Sequence, residues 1–299
     1  MIEAAVIGIV TGAIYGLIAL GLVLVYKGTR VINFAQAEIG GAGLYLAYIC
    51  TSHGLPWIAA AVITIAGAAI LGIVFERLIV RPMGDAPRLT VAVATVGLFF
   101  ALFSLEFYFF GQSPEFVAPP ITGRGIEVAG FFIGPMVLLS FVVIAALAAA
   151  LTAFLRYTDF GLGVLAAAQD ATAVRLIGIP LGRLNMFTWG IAGALSAVAA
   201  LLIEPQIGTV SPGAIGEPLF LGGLAAALLG GLTSLEGAFL GGILVGVAQS
   251  EAQHLLLATG FPGISAVVLF VIVLLVLLVR PQGLLGTLRA RAEIGGAVT

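Results

Sequence analysis

The chain has 299 residues, of which 61% are hydrophobic and 9% charged, with a mean hydropathy of +1.23; this leaves too little polar surface for a water-soluble protein of its size. The formal net charge of −2 excludes nothing, because in a membrane chain the placement of charge carries the information, while the single cysteine, Cys50, excludes an internal disulfide. Strand-length alternation of polar and apolar residues is missing, which argues against a membrane barrel and leaves an all-α, polytopic transmembrane helical bundle in one domain over residues 1–299.

A spanning helix needs about 20 mainly apolar residues. Residues 4–26 supply the first; Glu3 stands before them in place of a basic segment and the run is longer than a signal's apolar region, so they read as a retained span. The second candidate, 33–51, follows "RVINFAQAE", where Asn33, Gln36 and Glu38 crowd together between apolar runs. Two readings fit that stretch. In one, Asn33 caps a helix with Gln36 as the reciprocal partner, and Glu38 sits where the helix dipole favours an anion. In the other, a helix begins within the membrane and its free N–H groups face a solute route. The readings are compatible: Asn33 and Gln36 are expected to border the route and Glu38 to stabilise the bend.

The spans at 57–79 and 89–110 come next, then an outer loop over 111–130 with Glu115 and Glu127, read as a lid, a docking surface or an irregular connection. After a span at 131–155, "RYTDFGLGVLAAAQDATAVRLIGIPLGRL" is too polar to cross a membrane and too apolar for a free linker. Gly161 and Gly163 bound one end, Gly178 and Pro180 the other, predicting one helix of about 13 residues, or about 20 Å. Its formal charges are Asp170 and Arg175. Lacking the Lys/Arg-rich face of a surface-lying helix, it reads as an interface element. The remaining spans are 184–203, a short 218–233, 238–258 and 264–279. Depending on whether 31–50 or 218–236 is re-entrant, the bundle holds about 8–10 spanning or half-spanning helices.

With the N-terminus outside and the C-terminus inside, Lys27, Arg30, Arg77, Arg81, Arg88, Arg156, Arg175, Arg183, Arg280, Arg289 and Arg291 fall on the inner side and Arg124 alone outside, as short basic loops require. Gly8, Gly12 and Gly16, and later Gly237 with Gly241 and Gly242 with Gly246, recur four apart, the spacing that lets membrane helices approach closely. Residues 222–247 are a weak internal counterpart of 31–50.

No Gly-x-x-x-x-Gly-Lys-Ser/Thr loop is present, so the chain is not expected to hydrolyse ATP. His53, His254 and Cys50 have no ligand-like spacing, so no metal site is expected. An ion-coupled carrier would need ionisable residues deep in the spans. Glu76, Arg77, Glu106, Glu204 and Glu236 lie near span ends, and Glu251, with Gln249 and His254 nearby, alone reaches further in.

Four segments, "YGLIALGLVLVYKGTRVINFAQAEIGGAGLYLA", "AAAQDATAVRLIGI", "GGLTSLEGAFLGGILVGV" and "LLVRPQGLLG", resemble in order the permease subunits of branched-chain amino-acid ABC importers. In that family the Asn-Phe-Ala stretch commonly continues with His or Gln, then Gly and Glu; Ala37 in place of the Gly argues against a sharp kink at that point. The resemblance implies a non-enzymatic inner-membrane subunit working by alternating access, paired with a second permease, usually a distinct chain. It further implies two cytoplasmic ATPase subunits that bind ATP and Mg, an extracytoplasmic solute-binding protein, and no cofactor or nucleic acid for this chain. Pathway candidates are then Tyr15, Asn33, Gln36 and Glu38, and the interface helix becomes the coupling helix, with Leu165, Gln169, Asp170, Arg175, Leu176, Ile177 and Gly178 as contacts. Relatives that look similar carry urea or short amides, which leaves the cargo open.

Overall fold

The computed structural model describes residues 2–84, 86–115, 117, 121, 125–128, 131–256, 264–279 and 283–285. The sequence readings that involve Arg124, Arg280, Arg289, Arg291 and residues 257–258 lie outside them. In chain order the helices are α1 (Ile2–Thr29), α2 (Gln36–Ser52), α3 (Trp57–Phe75) with a π-helical continuation (Glu76–Val80), α4 (Arg88–Phe110), α5 (Pro135–Tyr157), α6 (Asp159–Gln169), α7 (Ala171–Leu176), α8 (Leu181–Ile207), α9 (Gly216–Gly230), α10 (Leu235–Leu256) and α11 (Ile264–Val279). Among the described residues, five helices are long and apolar enough to cross a membrane: Ala4–Thr29, Trp57–Val80, Arg88–Phe110, Pro135–Tyr157 and Leu181–Ile207.

The core is built around α1, whose Ile14, Leu17, Ile18, Leu22 and Leu24 are at most 1% exposed. Small residues make this possible. A Cβ on Gly12 would stand 2.8 Å from the Cα of Ile243, and one on Gly8 2.8 Å from the Cα of Val247, so the glycine stripe of α1 lies directly on α10, as its spacing predicts. Gly72 of α3 meets Trp189 of α8, and Gly40 of α2 meets Ser196, in the same way.

Two helices are too short to cross a hydrocarbon core of about 30 Å: α2 has 17 residues and α9 has 15, or about 25 and 22 Å at 1.5 Å per residue. Each follows a long helix after a break, α1 then 30–35, α8 then 208–215. The pairing is reciprocal: α1 packs on α8, α9 and α10, and α8 on α1, α2 and α3. Contacts of Gly21 with Ala192 and of Gly28 with Asn185 set α1 antiparallel to α8. Triplets α1–α3 and α8–α10 are thus related as inverted repeats, with α9 the counterpart of α2. This corrects the sequence match, which began at residue 222, inside α9, and ran on into α10.

The interface segment also departs from expectation. It is two helices. Thr158 caps α6, its Oγ1 accepting from Gly161 N at 3.0 Å, so Gly161 and Gly163 lie inside a helix that they were expected to bound. The helix then stops at Asp170, whose backbone is extended (φ −148, ψ 96) and whose Oδ1 accepts from Thr172 N at 2.9 Å and Ala173 N at 3.0 Å, starting α7. An aspartate that bonds nearby amides competes with helix continuation, and here it wins over the alanines. Between α4 and α5, β1 (Ile126–Val128) pairs antiparallel with β2 (Phe131–Ile133), and Glu115 and Val210 exchange backbone bonds of 2.8 and 2.7 Å. The hairpin delays the next helix to Pro135, at the first-turn position where proline is favoured.

Candidate translocation site

The two breaks bring the N-termini of α2 and α9 together inside the bundle. Phe34, just before α2, packs on Phe220 in the first turns of α9 with ring centroids 5.6 Å apart. Glu38 presses on Gly216 so closely that any Cβ there would overlap its carboxylate. Two helix starts, each with the positive end of its dipole, therefore converge at one level.

Asn33, Gln36 and Glu38 are 1%, 0% and 1% exposed. Ala35, not Asn33, is the helix N-cap and makes no side-chain cap bond, so the expected reciprocal box is absent. Instead Asn33 Oδ1 accepts from Ala35 N at 3.1 Å and Asn33 Nδ2 donates to Gln36 Oε1 at 3.2 Å. Gln36 Nε2 donates to the Ala192 carbonyl at 2.7 Å, and Ser196 Oγ donates to the Gln36 carbonyl. Phe34 N donates to Thr95 Oγ1 at 3.0 Å, adding α4. Asn33 and Gln36 thus fasten the start of α2 to α8 with their polar atoms used. The turn itself falls earlier, at 30–35, which leaves Ala37 inside a regular helix.

Glu38 differs. Neither of its carboxylate oxygens has a hydrogen-bond partner, and the same holds for Glu106 Oε1 and Tyr45 Oη. Glu106, near the end of α4, is 5% exposed and faces inward. Glu106 Oε1 and Glu38 Oε2 both lie within 3.8 Å of the point a Cβ on Gly41 would occupy. Glu38, Gly41 and Tyr45 recur at helical spacing on one face of α2, and Tyr45 stacks on Phe110, one turn beyond Glu106, at 4.2 Å. Glu204, also near a helix end, is 3% exposed. A residue near a helix end is exposed only if nothing covers that end, and here the segment after α8 lies over it, with Gly213 against Phe103 of α4 and Val210 paired to Glu115. Tyr15, 4% exposed, lies over Gly222 of α9. Glu251 is half-buried and His254 exposed.

At the basic end of the bundle, Leu176 and Ile177 are 83% and 72% exposed, and Gln169, Asp170, Arg175 and Gly178 are exposed beside them. Gly178 adopts φ +84. Leu165, expected among the contacts, is half-buried and packs against the main core. Exposed Arg156 and Glu236 form an ion pair that ties the end of α5 to the start of α10. The π-helical turn after α3 brings Arg81 back over buried Glu76 at 2.8 Å, and Arg81 Nη2 also donates to the Gly182 carbonyl at 2.6 Å.

Comparison with known proteins fits this arrangement. The family described as branched-chain amino acid transport system, permease component, matches residues 4–278. The high-affinity branched-chain amino acid transport system permease protein BraD of Pseudomonas aeruginosa is 33% identical over 300 residues, 95% of this chain and 95% of that one. Its counterpart LivH of Escherichia coli K12 is 31% identical over 294 residues, 93% of each. Among solved structures, PsaBC from Streptococcus pneumoniae in complex with Fab aligns with a TM-score of 0.50 at 13% identity, covering 92% of this chain and 91% of that one, a likeness of fold alone.

Proposed function

Since the chain belongs to the family of branched-chain amino acid transport permease components, we propose that it forms half of the pathway of an ATP-driven importer for leucine, isoleucine and valine. In this reading it sits in the inner membrane with its N-terminus outside and its C-terminus in the cytoplasm, as one membrane domain. It pairs with a second permease and receives solute from an extracytoplasmic binding protein. ATP and Mg are bound by two cytoplasmic ATPase subunits, which hold α6 and α7.

The exposed pair Leu176 and Ile177 carries this proposal. Two large apolar side chains at the C-terminal end of a locally capped six-residue helix, beside Asp170 and Arg175, gain by packing against a protein partner. Gln169 and Gly178 complete the gripped surface, with Leu165 anchoring it to the bundle from behind. Motion of that element is relayed through α8, which follows it in the chain and packs on α1, α2 and α3, to the meeting point of α2 and α9. There Asn33, Gln36, Glu38 and Tyr15 form the fixed wall of the route.

Reconstitution tests this. Transport should require a copurifying ATPase subunit and ATP, and should survive an uncoupler. Asn33→Ala and Gln36→Ala should alter uptake, and unchanged transport and substrate affinity in both would remove them from the route. Charge-reversed Asp170 and Arg175 variants that still assemble, with normal solute-stimulated hydrolysis, would remove those two from the ATPase contact.

A further inference from the structure

At the basic end of the bundle lies a cavity of about 430 Å³ with Arg30, Glu76, Arg81, Arg88, Arg175 and Asn185 among its lining residues. The four arginines come from four elements: the break after α1, the end of the π-helical turn, the start of α4, and α7. Helix periodicity does not bring them together; the tertiary fold does. Glu76 is spoken for by Arg81. Among the described residues no carboxylate lies within ion-pair distance of Arg30, Arg88 or Arg175; Asp85, between the lining residues Gly84 and Ala86, is outside them.

Arg30 is held in place. It has φ 59, the one non-glycine residue with positive φ among those described, a conformation that costs of order 1 kcal/mol. The turn brings its Nη2 to the Ala168 carbonyl of α6 at 2.6 Å. Like charges gathered around one concavity repel unless an anion joins them, and guanidinium forks match phosphate oxygens in geometry. The framing elements also carry apolar side chains turned outward, Leu78 at 65%, Leu89 at 76% and Val93 at 60% exposure. The site is therefore framed by elements that also carry the acyl-facing surface of the bundle.

We propose that this cavity binds the phosphate of an anionic phospholipid of the cytoplasmic leaflet, with Arg30, Arg88 and Arg175 as the cationic clamp and the acyl chains along α3 and α4. Basic pockets between membrane helices on that side take such headgroups, and the proposal rests on the orientation given above. Because Arg175 belongs to α7, a bound lipid would brace the element gripped by the ATPase.

The test is lipid retention by native mass spectrometry, on the chain with whatever subunits copurify, after exchange into mixed phosphatidylglycerol and phosphatidylcholine. It reads no transport, so it can fail while the importer assay succeeds, and the reverse. The expected result is retained phosphatidylglycerol, lost about tenfold or more in R30Q/R88Q and kept in R183Q, a basic residue of the same end outside the cavity lining. Asn185→Asp, which places a negative charge in the cavity without removing an arginine, should weaken retention too and serves if R30Q/R88Q does not fold. Equal retention of the two lipids, an equal loss in R183Q, or undiminished phosphatidylglycerol in both cavity variants would overturn the proposal. So would displacement of the lipid by inorganic phosphate together with phosphate binding to delipidated protein, which would make a soluble anion the ligand.

Discussion

Gln36 Nε2 donates to the main-chain carbonyl of Ala192 at 2.7 Å, which fastens the first residue of one half-helix to the middle of α8. Gln36→Leu removes that donor and the acceptor for Asn33 Nδ2, in a setting with no exposure. Each buried group left unpaired costs about 1–3 kcal/mol. Gln36→Leu should melt well below the wild type in detergent, whereas Asn33→Ala, which spares the Ala192 bond, should lose less.

Glycine contacts give a sharper contrast. Gly12→Val drives a branched side chain into the α10 backbone, where even a Cβ stands 2.8 Å from the Ile243 Cα. A well-packed seam forced apart costs about 1–3 kcal/mol or more, so monodisperse yield should fall. Gly97 on α4 has nothing within 4 Å of the same test position, and Gly97→Val should leave yield and melting temperature unchanged.

The Glu76–Arg81 pair is asymmetric: the two side chains are 2% and 39% exposed. Arg81→Met strands a carboxylate in the interior and breaks the bond to the Gly182 carbonyl, and removing one partner of a buried pair costs about 3–5 kcal/mol, less here because Arg81 is partly solvated. Glu76→Gln leaves a solvated arginine and keeps a hydrogen-bonding side chain. Arg81→Met should therefore be the more damaging in a thermal melt, and adding Glu76→Gln to it should restore part of the loss.

For α7, stability and assembly separate. Leu176→Ser and Ile177→Ser alter side chains that are 83% and 72% exposed, so the purified chain should melt as before while recovery of an ATPase subunit in a pull-down drops. Asp170→Ala removes the cap of α7, worth about 1 kcal/mol. Asp170→Asn should keep the helix and, with it, most of the assembly. A fall in stability with the two apolar variants would place those side chains in the core instead.

Much of this molecule is written locally. Hydropathy placed the long helices within a few residues, because twenty consecutive apolar residues need no tertiary partner to declare themselves. The glycine stripe of α1 could be read because its spacing is that of one helix face, although its partner, α10, was not identified from spacing. The segment that breaks α1 from α2 was legible as polar residues between apolar runs. The sequence reading missed one local competition and several features that depend on residues far apart in the chain. Asp170 splits an alanine-rich helix because its side chain finds amides two and three residues on, which helix propensity alone weighs too lightly. Glu106 and Glu204 looked terminal because distance to a helix end is visible in sequence, whereas the loop that covers that end is not. The meeting of α2 with α9, the bond from Arg81 to the Gly182 carbonyl, and the gathering of four arginines around one cavity all required the bundle to assemble. Periodicity fixes the direction of a side chain on its own helix; only packing decides what stands opposite.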